Sequence, residues 1–177
     1  MGFQFPLRTM LFTIIPLLVL NQSLIRTTGG QEIGKALIAT TCNKTEYPKD
    51  CISTLESDPR SFISNITGLA RIALEITAWK ANSSLIVAQY WTSRQRDYRS
   101  WDFSKVCTDY YSDSINSLKD SLKAFDEMKF DKAYQSLQSV HNNIAGCQRA
   151  GVTDFNDLNA MMLKITKYVL VVLHQLF

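Results

Sequence analysis

Four cysteines, two histidines and one spaced pair of aspartates are the residues whose types could do chemistry. Cys42 and Cys51 bracket the segment "CNKTEYPKDC", and Cys107 and Cys147 follow far downstream. Structural zinc sites hold ligand pairs about two to four residues apart, and a thioredoxin-like redox site needs C-x-x-C. Neither spacing occurs. His141 and His174 are the only histidines, and each stands alone in an apolar stretch, where a packing role outweighs that of ligand or base. Asp109 and Asp113, four apart, share one face of a helix. A carboxylate pair performs acid–base work when its surroundings split the two pKa values, but an exposed helix solvates both alike. The chain has no G-x-S-x-G elbow, glycine-rich phosphate loop or H-E-x-x-H motif. The expectation is a non-enzyme with no catalytic residue, no metal site and no cofactor.

An even number of cysteines suits two disulfides in an oxidising compartment, and the N-terminus agrees. Residues 1–30 have Arg8 in a basic start, an apolar run from Met10 to Leu20, and a polar, small-residue end at Gly29-Gly30. This layout is that of a secretory signal peptide, with cleavage expected between about Ser23 and Gly30; the run is too short to span a bilayer. Residues 31–177 then form one domain. Removing Arg8 and Arg26 lowers the formal net charge from +3 to +1, which gives no electrostatic basis for nucleic-acid binding. The tail from Tyr168 to Phe177 is short and contains His174, so no membrane contact is expected after signal removal.

Few glycines or prolines interrupt the domain, and apolar residues recur at three–four spacing in four blocks. Asp58 as N-cap and Pro59 at the first helical position start one helix, with Phe62, Ile66, Leu69, Ala73, Ile76, Val87 and Tyr90 on its face. Cys107, Tyr111, Ile115, Leu118, Leu122 and Phe125 mark the second. Phe130, Ala133, Leu137, Val140, Ile144 and Cys147 mark the third. The fourth carries Phe155, Leu158, Met162, Ile165, Val169, Val172 and Leu176, with Thr153 or Asp154 as its N-cap. The blocks predict an all-α, antiparallel up-down-up-down four-helix bundle over 58–177. Cys107 and Cys147 lie equally far from the turn "FDEMKFD", about 30 Å along each helix, so they face each other and pair. Cys42 and Cys51 are likewise centred on the turn beside Pro48, so residues 31–57 form an N-terminal helical hairpin closed by the second bridge.

The stretch "YWTSRQRDYRSWDF" interleaves Arg94, Arg96 and Arg99 with Trp91, Tyr98 and Trp101. Basic and aromatic groups together hold polyanions or stack on sugars. The plainer expectation is a solvated loop with the aromatic rings tucked against the bundle, leaving only weak contact with an anionic polysaccharide. Asn43, Asn65 and Asn82 begin N-glycosylation sequons.

Two signatures resemble the plant invertase and pectin methylesterase inhibitor family. The first is C-x8-C-x3-L-x-SDPRS at Cys42, Cys51, Leu55 and Ser57 to Ser61; the second is C-x3-Y-x-D-S-x3-L at Cys107, Tyr111, Asp113, Ser114 and Leu118. The resemblance runs from about Glu32 to the C-terminus. It implies a secreted inhibitor of the apoplast and cell wall, or of the vacuole, that caps the cleft of a pectin methylesterase or an acid invertase. Lys129 and Phe130 at an exposed turn, with Asp109, Asp113 and Lys132, are the implied target contacts. Invertase inhibitors commonly show Pro-Lys-Phe at that turn. This chain has Met128 in place of the proline, which tilts the expected target to pectin methylesterase. Acidic residues often follow the family's last cysteine, whereas Gln148 and Arg149 stand here, so a non-inhibitory binding protein on the same bundle is the alternative of another class.

Overall fold

The computed structural model describes residues 31–177; the expected signal peptide lies outside the described residues. Helix α1 occupies residues 31–42 and α2 spans Pro48–Glu56. Pro48 opens α2, where its missing N–H costs nothing. The turn between them is closed by the Thr45 hydroxyl, which donates to the Cys42 carbonyl at 2.8 Å. The Cys42–Cys51 disulfide joins the two helices with Cα atoms 5.6 Å apart.

The first bundle helix starts later than the sequence suggests. Asp58 does cap, accepting from the Arg60 backbone N–H at 2.9 Å, but it caps only a short 3-10 helix over Pro59–Ile63. The chain then extends through Ser64, and Asn65 takes over as N-cap, its side chain accepting from the Gly68 N–H at 2.9 Å. Two good caps seven residues apart divide what the pattern presents as one helix. Helix α3 therefore spans Ile66–Arg94, followed by α4 over Tyr98–Asp126, α5 over Phe130–Arg149 and α6 over Asn156–His174. Neither Thr153 nor Asp154 caps α6: both lie in a 3-10 turn, Thr153–Phe155, and Asp154 instead accepts from Gln95 at 3.1 Å. The four long helices pack in a closed square, each against its two neighbours.

The buried stripes of α4, α5 and α6 follow the apolar spacing: Cys107, Tyr111 and Leu118, then Leu137, Val140 and Ile144, then Met162, Val169 and Val172. The second half of α3 does not. Val87 and Tyr90 are exposed, while Ala81, Ser84, Ala88 and Thr92 are buried. Small residues let α3 lie close to α4, and the Thr92 and Thr108 hydroxyls hydrogen-bond across the seam at 2.8 Å. Bulky side chains do not fit that seam and turn outward.

One cross-link fixes the register of the other helices. Cys107 and Cys147 are bridged with Cα atoms 4.7 Å apart. Beside them, Tyr111 donates to Asn159 Oδ1 at 3.0 Å, and Asn159 Nδ2 donates to Cys147 Sγ at 3.3 Å, so α4, α5 and α6 meet in one buried network. Gly146 allows this approach: a Cβ there would stand 2.7 Å from Tyr110 Cζ.

The hairpin rests on α6 and on the 3-10 segment. Thr54 and Tyr168 share a hydrogen bond of 2.8 Å, and Lys164 and Lys167 pair with Asp50 and Glu46. An ionic chain runs from the hairpin's exit along the surface. Arg60 bonds Asp58 and Glu75, and Arg71 bonds Glu75 and Asp126 at the end of α4. At Gly34 the two backbones nearly touch, and an added Cβ would lie 2.1 Å from the Phe62 carbonyl oxygen. Since backbone cannot swing aside as a side chain does, Gly34→Ala is expected to push α1 off its seat and destabilise the fold by about 1–3 kcal/mol. Urea unfolding with hydrogen exchange along residues 31–42 measures both effects.

Candidate target interface

The outer face of α4 is polar from Asp109 onward. Asp109, Ser112, Asn116, Lys119 and Lys123 follow alternating three- and four-residue steps, and all are exposed, as are Asp113 and Asp120 beside them. At 1.5 Å per residue this strip is about 21 Å long, a fitting length for one side of a standard protein interface. Asp109 is ion-paired with Lys105. Asp113 and Lys132 make no ion pair among the described residues and stand open to a partner. Lys129 lies some twenty residues beyond Asp109, so the sequence-derived contacts form a long band, not a compact cluster. Ser112, Asn116, Lys119 and Lys123 were legible only as the helical repeat of Asp109.

At the end of the strip, the turn between α4 and α5 has a defined geometry. The Lys129 N–H donates to the Ala124 carbonyl and the Met128 N–H to the Phe125 carbonyl, both at 2.9 Å. These are the paired bonds of a Schellman cap, whose residue after the C-cap adopts a left-handed backbone. Met128 fills that position with φ of 57° and projects into solvent. The Lys129 side chain folds back to Glu127 at 2.7 Å, and each charge favours the other: the Glu127 carboxyl is lowered and the Lys129 ammonium raised from their usual values. Phe130 is less open than the turn residues before it. It is half-buried, with its ring 5.1 Å from that of Phe125, so it props the turn from the inner side.

The remaining candidates take structural places. His141 Nδ1 meets the Thr166 hydroxyl at 2.8 Å. Thr166 donates to the Met162 carbonyl, so the imidazole is the donor between them. Burial, and then the Lys167 charge, lower the His141 pKa. His174 is exposed and stacks among Tyr134 and Phe177. The stretch from Tyr90 to Phe103 is no long loop: α3 continues to Arg94 and α4 begins at Tyr98. Its aromatic rings are not tucked in either, since Tyr90, Trp91, Tyr98, Trp101 and Phe103 are all exposed. The short connection leaves them no slack to fold back. Among the described residues no group of three or more His, Cys, Asp or Glu could hold a metal ion.

The sequence pattern of the family described as plant invertase/pectin methylesterase inhibitor matches residues 36–173. The chain belongs to that family. A pectinesterase inhibitor from Actinidia deliciosa is 32% identical over 82 residues, 46% of this chain and 44% of that protein. The cell wall / vacuolar inhibitor of fructosidase 2 from Arabidopsis thaliana is 30% identical over 98 residues, 55% of this chain and 54% of that one. The chain thus spans about half the length of the curated relatives it matches. A crystal structure of a mutant form of a pectin methylesterase inhibitor from Arabidopsis shares the fold, with a TM-score of 0.68 at 19% identity over 77% of this chain and 95% of that one.

Two outcomes follow from the geometry of these residues. Met128→Gly is expected to stabilise the protein by about 1 kcal/mol by relieving the left-handed backbone, while Met128→Pro destabilises it by more; chemical denaturation measures both. For His141, the unfolded chain gains a proton near pH 6.5, before the folded one does. Stability therefore falls as pH drops through that value and levels off below the folded pKa. His141→Gln is expected to lose less stability than the wild type between pH 7.5 and pH 5, compared by urea midpoints.

Proposed function

We propose that the protein is a secreted inhibitor of a pectin methylesterase of the apoplast and cell wall, acting without catalysis by laying the α4–α5 face over the enzyme's cleft. The observation that carries the choice of target is the turn at Met128. Its φ of 57° and its N–H bond to Phe125 are both closed to proline, whose φ is fixed near −65° and which has no N–H. The Pro-Lys-Phe turn of invertase inhibitors therefore has no counterpart in this geometry. Cross-linked helices present the polar strip already ordered, so docking loses less conformational entropy. No helix among the described residues is long and apolar enough to cross a membrane, consistent with release into the wall space after signal removal.

Acid invertase of wall or vacuole is the second reading, favoured by the Lys129-Phe130 pair and by the relative named for fructosidase inhibition. Weak contact with anionic pectin belongs to the other end of the bundle. There Arg94 and Arg99 lie over the Tyr90 and Phe103 rings, and neither they nor Arg96 have an acidic partner among the described residues.

Titrating the oxidised protein against a pectin methylesterase and an acid invertase tests the reading. One-to-one loss of methylesterase activity is expected, with invertase unaffected. Reversing the charges at Asp113 and Lys123 should weaken inhibition at least tenfold while leaving thermal unfolding unchanged. Inhibition of invertase alone would move the target to the second reading. Inhibition of neither enzyme would make the protein a non-inhibitory binder.

A further inference from the structure

Helix α3 carries an apolar stripe on its solvent side. Trp79 is 64% exposed, Ile86 67% and Tyr90 54%. Steps of seven and four residues align the three on one face, over about 16 Å of helix. No other element of the bundle covers them, and an uncovered apolar stripe of this kind drives association.

The sequon Asn82-Ser83-Ser84 lies inside this stripe. Asn82 is exposed, three residues after Trp79 and four before Ile86, the spacings that set side chains next to each other on a helix. Ser84 is buried, and its Oγ has no hydrogen-bond partner among the described residues. Ser61 and Ser104 are buried in the same way, so what sets Ser84 apart is its place in the sequon, where an Asn-x-Ser acceptor requires the hydroxyl. Alanine would occupy the same seam without the cost of an unpartnered hydroxyl.

We propose that Asn82 carries an N-linked glycan that lies over Trp79, Ile86 and Tyr90 and keeps α3 from associating. In the transfer, Asn82 Nδ2 bonds to the anomeric carbon of an oligosaccharide carried on a lipid diphosphate. The carbon–oxygen bond to the diphosphate breaks, the amide gives up one proton, and the lipid diphosphate leaves. Transfer precedes folding, because Ser84 is inaccessible afterwards. The substituted amide keeps one N–H, enough for its 2.9 Å bond to the Ala78 carbonyl. The apolar C–H faces of the first sugar rings pack on the ring surface that Lys80, over Trp79, and Arg94, over Tyr90, leave open. Asn65 differs, since its side chain caps α3 at the helix start, and Asn43 adjoins the bridged Cys42. The inference rests on the secretory part of the proposed function and not on which enzyme is inhibited.

The test is secretion of the full chain from plant cells, with glycopeptide mass spectrometry and light scattering. Asn82 is expected to be occupied in the major form and the protein monomeric. Asn82→Gln and Ser84→Ala each remove the glycan and should raise self-association and dye binding to apolar surface several-fold. Ser84→Ala also deletes the unpartnered hydroxyl, so its folded state is expected to survive. Adding Trp79→Ser and Ile86→Ser to Asn82→Gln should restore the monomer. An empty Asn82 in the secreted protein, or two unglycosylated variants that stay monomeric, would overturn the proposal. So would loss of enzyme inhibition on Trp79→Ser/Ile86→Ser alone, since the stripe would then seat the target. A protein that inhibits neither enzyme still yields the glycan and association readouts.

Discussion

The junction at Cys107–Cys147 is the constraint on which the rest of the structure depends. A disulfide between two helical positions tolerates little sliding or rotation of one helix against the other, because its Cα separation is confined to a few ångströms. The neighbouring Tyr111–Asn159 bond extends this restriction to α6. Three helices are thus held in register at one level, and the α4 strip inherits its straightness from that level. Burial and hydrogen bonding act together here. Desolvation raises the Tyr111 pKa, so the phenol is held protonated more firmly than a free tyrosine and serves as the donor to Asn159.

The fourth helix is held differently. Helix α3 meets α4 through small side chains and a threonine pair, a seam that gains from close approach and not from bulk. Over the second half of α3, close packing of Ala81, Ser84 and Ala88 takes the place of the large buried side chains, Leu69, Ile72 and Leu74, of its first half. The same economy explains why Trp79, Ile86 and Tyr90 face water. The outer surface of the bundle is consequently divided into a polar side on α4 from Asp109 onward and a more apolar side on α3.

Much of this was legible in the residues. Periodicity located α4, α5 and α6, because their stripes pack large apolar side chains against one another and size and hydropathy agree. It misled at α3, where fit to a narrow seam outweighed hydrophobicity and selected Ala81 and Ala88 over Val87 and Tyr90. The start of α3 was misplaced because Asp58 is a sound cap of a different, shorter element. Around the candidate interface, the sequence placed Lys129 on an exposed turn and Asp109 and Asp113 on the solvent face of α4, and both placements match the structure. It missed that Phe130 points inward, since a helix-start phenylalanine declares its side only once Phe125 is opposite it. Nor does the string of letters show that Met128 occupies a left-handed position, which a glycine there would have announced.

The chain of Arg60, Glu75, Arg71 and Asp126 ties the hairpin's exit to the far end of α4 by charges that are exposed at Arg60 and Asp126 and half-buried at Arg71 and Glu75. Dissolved ions shrink the reach of such charges to roughly 8 Å at physiological ionic strength and about 3 Å at 1 M. Covalent bonds and buried hydroxyls do not respond to that change. Ionic strength therefore softens this surface tie selectively, while buried Ile38 and Leu55 keep the hairpin seated and the cross-linked level keeps its shape.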